Sequence, residues 1–278
     1  MDFTKMHGIG NDYVYINCFE ETVETPEKLS PVLSDRHKGI GGDGIILIKP
    51  SSKADCEMDI YNADGSRAKM CGNGIRCVAK YAYEHGIAHK KTMTIDTQSG
   101  IKTMTLTTDT KDRVQTVTVD MGEPILTPAE IPALFDGDNI IHTPIFVGGA
   151  LTRVTCVSMG NPHCVCFVPD LDSLNLTEIG PSFENHKRFP NGVNTEWIHV
   201  ADPEHINMRV WERGSGETKA CGTGACASVV ACVLNGLTSR HVTVRLLGGN
   251  LKIEWREADN HVYMTGPAEE VFTGSIII

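Results

Sequence analysis

The chain has 278 residues, of which 41% are hydrophobic and 22% are charged, values typical of a globular protein with room for two domains. Its formal net charge of −10 argues against nucleic acid or an anionic membrane surface as a partner. No apolar run approaches the roughly 18 residues of a membrane span, and the N-terminal residues lack the apolar core of an export signal. We therefore expect a cytoplasmic protein that binds neither membranes nor nucleic acid.

The chain contains an internal repeat at an offset of 150 positions. Residues 58–74 align with residues 208–224 without a gap. An offset that persists along the chain predicts two copies of one fold. The same offset pairs Gly10 and Asn11 with Gly160 and Asn161, Gly42 with Gly192, and Gly86 with Gly236.

Each copy is predicted to consist mostly of strands around one helix. Alternating or clustered β-branched residues predict strands at 13–17, 44–49, 58–61, 92–96 and 114–119 in the first copy. In the second copy they predict strands at 163–168, 195–200, 207–211, 241–246 and 251–255. Helices are predicted at 74–85 and 224–235, and Gly86 and Gly236 stand where a left-handed residue would end them.

The two predicted helices differ in polarity. The second is apolar on nearly every side, so it must be enclosed, as a curved sheet wrapped around it would do. The first carries Arg76 and Lys80, and we expect it to be less enclosed. Residues 127–138, rich in proline and acidic residues, are interpreted as a linker or loop between the copies. The apolar residues 275–278 are predicted to form a paired strand. The fold class is therefore α+β, with two pseudo-symmetric lobes, each a mixed β-sheet rolled into a barrel-like shape around a central α-helix.

Cys71 and Cys221 each open a Cys-Gly-x-Gly segment just before a predicted helix. Unpaired backbone amides and the helix dipole favour negative charge there, and such a site can lower a thiol pKa from about 8.5 to roughly 3.5–7.5. The glycines allow a ligand carboxylate to approach those amides. The alternative is that the two cysteines have no catalytic role and form a buried structural pair or a disulfide. The duplicated setting favours instead a catalytic pair, one thiolate acting as base and one thiol as acid.

Inversion of a carbon explains why two such groups are needed. A proton must leave one face while a different proton arrives on the other, and a single base would tend to return its proton to the same face. Amides from two helix ends could stabilise the carbanion through its own carboxylate. Nothing in the sequence marks a pyridoxal lysine, so we expect no cofactor.

Six segments resemble the motifs of the diaminopimelate epimerase family of cofactor-independent amino-acid racemases, and the likeness covers essentially the whole chain. They are residues 3–12, 62–66, 70–77, 159–163, 192–196 and 212–224. The resemblance implies an isomerase that interconverts LL-2,6-diaminopimelate and the meso form on the path to lysine and peptidoglycan, with Cys71 and Cys221 as its acid/base residues. It also implies that the C-terminal strand 268–278 joins an N-terminal lobe of residues 1–120, that residues 121–267 form the other lobe with the active site in the cleft between them, and that a homodimer forms.

The resemblance also implies the residues around the substrate. Arg213 suits the distal carboxylate of diaminopimelate and Glu212 its distal ammonium group. His163 and Glu212 match family positions beside the thiols, where they would tune proton affinity. Some members carry glutamine where this chain has Gly44, which removes any side-chain role there. The substrate-binding positions are Asn11, Asn62, Gly72, Asn73, Asn161, Asn194, Glu212, Arg213, Gly222 and Thr223.

Other interpretations of these features stay open. A proline or hydroxyproline racemase of the same fold is the nearest alternative, although such relatives tend to carry histidine in place of Asn73. A redox or metal-binding module that uses the ten cysteines is another, although we expect no metal site, because a strand would place His163 on the face opposite Cys164 and Cys166. Residues 39–44 fit a dinucleotide-binding fingerprint but precede a strand-like run, which favours a turn. His7 and Asp12 support either a loop or the site. Cys77, Cys226 and Cys232 are expected in the core, and Cys18, Cys56 and Cys156 have no functional context.

Overall fold

The computed structural model describes residues 1–277, which divide into two compact units. Unit 1 comprises residues 1–120 and the C-terminal residues from Thr265 onward, and unit 2 comprises residues 121–264. The elements that start in unit 1 are β1 (Asp2–Gly8), β2 (Asn11–Asn17), α1 (Pro26–Ser34), β3 (Gly44–Lys49), β4 (Cys56–Asn62), β5 (Arg67–Ala68), α2 (Gly72–Glu84), β6 (Thr92–Asp96), β7 (Lys102–Thr108), β8 (Val114–Asp120) and β18 (Glu269–Ser275). Those that start in unit 2 are a 3₁₀ turn (Pro128–Glu130), β9 (Thr143–Val147), β10 (Ala150–Ser158), β11 (Pro162–Phe167), α3 (Leu176–Glu184), β12 (Asn194–Asp202), β13 (His205–Glu212), β14 (Gly216–Thr218), α4 (Gly222–Leu234), β15 (His241–Leu246), β16 (Gly249–Trp255) and β17 (Val262–Gly266).

The sheet of unit 1 mixes parallel and antiparallel pairs. Strands β2 and β3 pair in parallel across α1, and β4 and β6 pair in parallel across α2. A helix is the usual connection for a parallel pair, because the chain must return to the start of the next strand. The remaining pairs are antiparallel: β18 with β1, β1 with β2, β3 with β4, β4 with β5, β6 with β7 and β7 with β8.

Unit 2 repeats this plan. Strands β11 and β12 pair in parallel across α3, and β13 and β15 pair in parallel across α4. Helices α3 and α4 begin and end 150 positions after α1 and α2, as the repeat predicts. Strand β9 pairs with β10 as β18 pairs with β1, so a segment from the far end of the chain supplies the outer strand of unit 1.

A helix lies at the centre of each sheet. Helix α2 contacts β1, β2, β4, β6, β7 and β8, and α4 contacts β10, β11, β12, β15 and β16. The predicted α+β class with a mixed sheet around a central helix is confirmed, and each of the ten predicted strands overlaps an observed one. Between the two helices of unit 1 runs β3, whose residues from Gly44 to Ile48 are buried on both faces. Its continuous apolar sequence follows from that double burial.

The expectation that α2 is less enclosed than α4 is wrong. Every residue of α2 from Gly72 to Tyr83 is buried, including Arg76 and Lys80. Their polar atoms are satisfied internally, because Arg76 donates to the carbonyl oxygens of Gly72 and Pro267 and Lys80 donates to Glu84 and to the Val114 carbonyl oxygen. Buried cations with such partners are tolerated in a core.

Two smaller expectations also need correction. Of the two alternatives for residues 127–138, the loop is confirmed, since apart from a 3₁₀ turn the segment is irregular. The linker is wrong, since the segment lies within unit 2 and Ile131 and Ala133 belong to its core cluster. The last strand lies earlier than predicted, at Glu269–Ser275, and of the predicted residues 275–278 only Ser275 falls within it. Residue 278 lies outside the described part of the chain.

In the described residues, each helix is too short or too polar to cross a membrane.

Candidate active site

Cys71 caps the N-terminus of α2. Its backbone is extended, with φ −137° and ψ 114°, and its sulfur accepts a hydrogen bond from the Gly74 backbone N–H at 3.2 Å. A β-carbon built on Gly74 would lie 2.6 Å from Ile46 Cδ1, so a larger residue would have to displace the end of that side chain. The glycine therefore allows the first turn of the helix, which carries the thiol, to pack closely on β3.

Asparagine side chains surround this thiol. Asn11, at the start of β2, places its Oδ1 3.2 Å from Cys71 Sγ, and the same oxygen accepts from Asn73 Nδ2 at 3.4 Å. Asn11 is oriented by Asp43, whose Oδ2 accepts from Asn11 Nδ2 at 2.7 Å. The amide oxygen must therefore face the sulfur, where it accepts the thiol proton.

Three other residues that the sequence singled out in unit 1, Asp12, His7 and Asn62, have hydrogen-bond or ion-pair partners of their own. Asp12 pairs with Lys5 and Arg36, and these cations hold the pKa of its carboxyl below its usual range although burial, the largest influence, acts to raise it. Asp12 thus supports the loop, while His7 accepts at Nδ1 from the Gly10 N–H at 3.4 Å. Asn62 Nδ2 donates to Ser66 Oγ at 3.0 Å.

Cys221 caps α4 in the same conformation, with φ −123° and ψ 107°, but it is buried. Thr223 Oγ1 lies 3.6 Å from its sulfur. Burial raises the pKa of the Cys221 thiol well above its usual value, and the carboxyls of Glu212 and Glu196 act in the same direction. The helix N-terminus alone therefore does not make this cysteine a thiolate in the free protein.

A chain of hydrogen bonds leads away from Cys221. Thr223 Oγ1 accepts from Asn161 Nδ2 at 3.3 Å, and Asn161 Oδ1 lies 3.0 Å from His163 Nε2. The other ring nitrogen, Nδ1, lies 2.6 Å from Glu196 Oε1. The side chains of His163 and Glu196 are fully buried, so this pair is screened from water.

Glu212, at the end of β13, is the second carboxyl beside Cys221. Burial is the largest influence and raises its pKa, while hydrogen bonds from Thr218 and Cys221 act to lower it. A carboxyl with a raised pKa next to a thiol is suited to proton exchange with that thiol.

Asn194 and Arg213 are linked to each other rather than to the thiol. Asn194 Oδ1 accepts from the Arg213 backbone N–H at 2.9 Å, and its Nδ2 donates to the Pro162 carbonyl oxygen at 2.9 Å. Arg213 is exposed, and its Nη1 donates to the Asn191 carbonyl oxygen at 2.8 Å. Its guanidinium is thus held at the turn that contains Asn191.

The predicted site residues therefore form two groups, one in each unit. Sequence reasoning missed Glu196 and Asp43, which orient residues it did name. The sequence did contain a signal for Glu196. The offset of 150 aligns this acid with Ile46, which lies in the apolar segment 44–48. In unit 1 the group contains Asn11, Cys71, Gly72 and Asn73, with Asn62 held separately; in unit 2 it contains Asn161, His163, Glu212, Cys221, Gly222 and Thr223, with Asn194 and Arg213 joined to each other.

Position 44 differs from its repeat partner Asn194 for a steric reason. Gly44 has φ +155°, and a β-carbon there would lie 2.1 Å from the Tyr61 carbonyl oxygen. A side chain does not fit, so the glycine is required by the backbone. Residues 39–44 form a turn that leads into β3, as predicted.

The other cysteines occupy structural positions. Cys77, Cys226 and Cys232 are buried inside the helices, as predicted, and burial raises the pKa of Cys77 to about 11 and that of Cys232 to about 12. Cys164 and Cys166 belong to the core cluster of unit 2. Within residues 1–277, no three His, Cys, Asp or Glu side chains are grouped so as to hold a metal ion.

The chain matches a family model described as diaminopimelate epimerase over residues 3–127 and 155–271. It is 54% identical over 276 residues to a diaminopimelate epimerase of Acetivibrio thermocellus, with 99% of this chain and 98% of that protein covered.

Solved structures of more distant proteins share the fold. A phenazine biosynthesis protein of the PhzF family from Bacillus anthracis superposes with a TM-score of 0.72 at 15% identity, covering 100% of this chain and 99% of that one. A hydroxyproline epimerase from Agrobacterium vitis superposes with a TM-score of 0.69 at 14% identity, covering 99% and 90%. At such identities the likeness concerns the fold alone, so it does not favour a proline-type substrate.

Proposed function

The chain belongs to the diaminopimelate epimerase family, and we propose that it interconverts LL-2,6-diaminopimelate and meso-2,6-diaminopimelate with Cys71 and Cys221 as the two acid/base groups. The observation that carries the proposal is that both cysteines cap equivalent helices in one duplicated fold. A two-base inversion requires two such groups, one for each face of the carbon. The product is a precursor of lysine and of peptidoglycan.

In the first step a thiolate removes the α-proton. The S–H bond forms as the Cα–H bond breaks, and the electron pair passes into the substrate's own carboxylate. In the second step the thiol of the other cysteine gives its proton to the opposite face of the carbon. Each turnover leaves the two sulfurs with exchanged protonation states, so the reverse reaction starts from the opposite pair.

Backbone amides stabilise the carbanion between these steps. The backbone N–H groups of Gly72, Asn73, Gly222 and Thr223 lie in the first turns of α2 and α4, and N–H groups at a helix N-terminus bind anions. Their hydrogen bonds stabilise the substrate's carboxylate most when it carries the extra electron pair of the carbanion. Removal of one donor of this kind typically costs about 10²- to 10³-fold in rate.

The substrate's distal end is a second zwitterion, which is not inverted. Arg213 is a planar fork of donors suited to the distal carboxylate, and Glu212 is suited to the ammonium group. Asn62 and Asn194 can donate and accept in the same site. Selection of the distal configuration by this cluster explains why a diamino diacid, and not proline, is the substrate.

We place the enzyme in the cytoplasm as a homodimer. The exposed apolar side chains of Val271 and Phe272 on β18 support association, because a second copy would remove them from water. Light scattering after size-exclusion chromatography should give twice the mass of the chain. A monomer at micromolar concentration would contradict this part of the proposal.

The test is incubation of the reduced protein with LL-diaminopimelate in heavy water, without added cofactor. Deuterium should appear at the inverted α-carbon of the meso product, because the arriving proton comes from a thiol that exchanges with solvent. Proline and 4-hydroxyproline serve as controls and should keep their configuration. Inversion of proline with no reaction of diaminopimelate would overturn the proposal.

A further inference from the structure

Glu196 is a buried acid in a strand position where the other unit has an aliphatic residue. It lies in β12, is 0% exposed, and corresponds to Ile46 of β3. A β-carbon built on Gly74 would meet Ile46 Cδ1 at 2.6 Å, and one built on Gly224 would meet Glu196 Oε1 at the same distance. The two side chains thus occupy the same place beneath the first turn of the central helix.

The carboxyl of Glu196 faces the region of Cys221. The β-carbon built on Gly224 would lie 3.1 Å from Cys221 Sγ as well as 2.6 Å from Glu196 Oε1. Sulfur and carboxyl therefore approach the same point on α4. An ionised carboxylate so close disfavours a second negative charge on the sulfur, because the interior screens charges weakly.

His163 holds the other side of this carboxyl. Both of its ring nitrogens face oxygen atoms, Nδ1 facing Glu196 Oε1 at 2.6 Å and Nε2 facing Asn161 Oδ1 at 3.0 Å. These two contacts fix the ring between the carboxyl of Glu196 and the amide of Asn161. The ring is linked to Cys221 through Asn161 and Thr223, whereas Glu196 Oε1 and Cys221 Sγ approach the same point on α4.

The second carboxyl oxygen is not shielded by a donor. Glu196 Oε2 is buried and has no hydrogen-bond partner among the described residues. A buried carboxylate oxygen without a donor is costly, and its field on nearby groups is correspondingly strong.

The titratable side chains of unit 2 that act on Cys221 come from three strands. They are Glu196 from β12, Glu212 from β13 and, through the hydrogen-bond chain, His163 from β11. The charge of Glu196 also acts on Cys164 on β11. Burial raises the pKa of the Cys164 thiol well above its usual value, so this thiol stays neutral. Both carboxyls next to Cys221 thus act in one direction.

We propose that Glu196 is a positioning residue that locks His163 and keeps Cys221 in the thiol form in the resting enzyme. In unit 1 the equivalent Ile46 exerts no such influence on Cys71. The two half-sites therefore enter the cycle in unequal states, with Cys221 as the proton donor. The inference deepens the proposed function, since it rests on Cys221 being an acid/base group.

The test is the pH dependence of iodoacetamide alkylation at each cysteine, read by mass spectrometry of the peptides that carry Cys71 and Cys221. Only the thiolate reacts, so the midpoint reports thiol ionisation whether or not the protein is active. In the unmodified protein the midpoint for Cys221 should lie above that for Cys71. Glu196→Gln should lower the Cys221 midpoint by about one pH unit and leave that of Cys71 in place.

The matched control is Glu254→Gln. Glu254 also pairs with a histidine, His241, at 3.1 Å in unit 2, but on the surface. It should move neither midpoint. An unchanged or raised Cys221 midpoint in Glu196→Gln, or an equal shift at both cysteines, would overturn the inference. If Glu196→Gln fails to fold, Glu196→Ile, which copies unit 1, should give the same fall.

Activity gives an independent reading. The alkaline limb of the kcat/KM profile for LL-diaminopimelate should move to lower pH in Glu196→Gln, because the donor thiol is lost sooner. Absence of epimerisation in the unmodified protein would count against the proposed function alone, since the alkylation midpoints would still report on Glu196. A fall in kcat at all pH values with no shift of the limb would indicate a purely structural role and overturn the inference.

Discussion

The Cys71 and Cys221 half-sites share a backbone but not a chemical environment. Each cysteine caps a 13-residue helix that follows the same strands, with helix bounds 150 positions apart. Three positions that hold a carboxyl or an imidazole on the Cys221 side hold neither in unit 1. The aligned pairs are Tyr13 with His163, Ile46 with Glu196, and Asn62 with Glu212.

This difference shows how a duplicated fold can serve an asymmetric cycle. In the proposed mechanism the backbone is the same in both copies, since each thiol and each set of amides performs the same task. The proposed protonation states differ, because one sulfur starts as base and the other as acid. Side chains on three equivalent strands supply that difference without altering the helix caps.

Removal of either thiol is the largest perturbation of the comparison. Cys71→Ala and Cys221→Ala should each lower kcat/KM by at least about 10²-fold, since each face of the carbon loses its only acid/base group. Each variant still holds one thiol, which can remove an α-proton and return deuterium to the same face. In heavy water the two variants should therefore label opposite isomers without inverting them, as mass spectrometry would show.

Cys77→Ala is the control for that experiment. Cys77 lies in α2, six residues after Cys71, but is fully buried in the core. This variant should keep most of the activity. If Cys71→Ala and Cys221→Ala labelled the same isomer, the two thiols would not serve opposite faces, and the comparison of half-sites would fail.

Glu212→Gln should give the next largest effect, with opposite signs for activity and stability. We expect a loss of at least about tenfold in kcat, because the variant lacks the carboxyl that we propose to exchange protons with Cys221. Stability should rise at neutral pH. The folded protein raises the pKa of Glu212, so it retains the proton at pH values where the unfolded chain has lost it. The free energy of unfolding therefore falls as pH rises above the pKa of Glu212 in the unfolded chain, which is about 4.3.

Thermal unfolding at several pH values checks this sign. The gain from Glu212→Gln should be absent at about pH 4 and grow toward neutral pH. Glu254→Gln again serves as the control, because its carboxyl pairs with surface cations. A variant that is less stable than the unmodified protein at neutral pH would contradict the raised pKa, because it would mean that the ionised carboxyl stabilises the fold.

The sequence predicted most of the framework because the repeat and the alternation of apolar residues are local signals. The positions of β3, β12 and both central helices follow from short segments alone. Helices α1 and α3 escaped prediction, since each is only nine residues long and contains a proline. In an isolated sequence such a proline indicates a break.

The polar interior could not be predicted, because its partners lie far apart in the chain. Arg76 indicated a solvated helix face, but its guanidinium meets the Pro267 carbonyl oxygen, 191 positions away. Glu196 was given no role, because its contact is with His163, 33 positions earlier in the chain. The family motifs supplied the proposed substrate-binding residues but no role for Glu196.

The smallest expected effect concerns an ion pair that the two units carry in opposite polarity. Asp59 on β4 pairs with Arg67 on β5, while at the aligned positions Arg209 on β13 pairs with Glu217 on β14. The Asp59 carboxyl is 1% exposed, whereas that of Glu217 is 24% exposed. Asp59→Asn should therefore destabilise unit 1 by about 2 kcal/mol, because a buried charged acceptor is lost. Glu217→Gln should cost unit 2 about 0.5 kcal/mol, as expected for a hydrated pair.

Urea unfolding across pH distinguishes the two. Burial acts to raise the pKa of Asp59, yet hydrogen bonds from Arg67 and Lys49 outweigh it and hold that pKa below the usual value. Its contribution should be complete above the unfolded pKa of about 3.9 and disappear as pH falls through the lower folded value. The difference between Asp59→Asn and the unmodified protein should thus be constant near neutral pH and shrink in acid. Equal losses in the two variants would mean that burial does not set the strength of the pair, and that the polarity of the pair can be exchanged between the units without consequence.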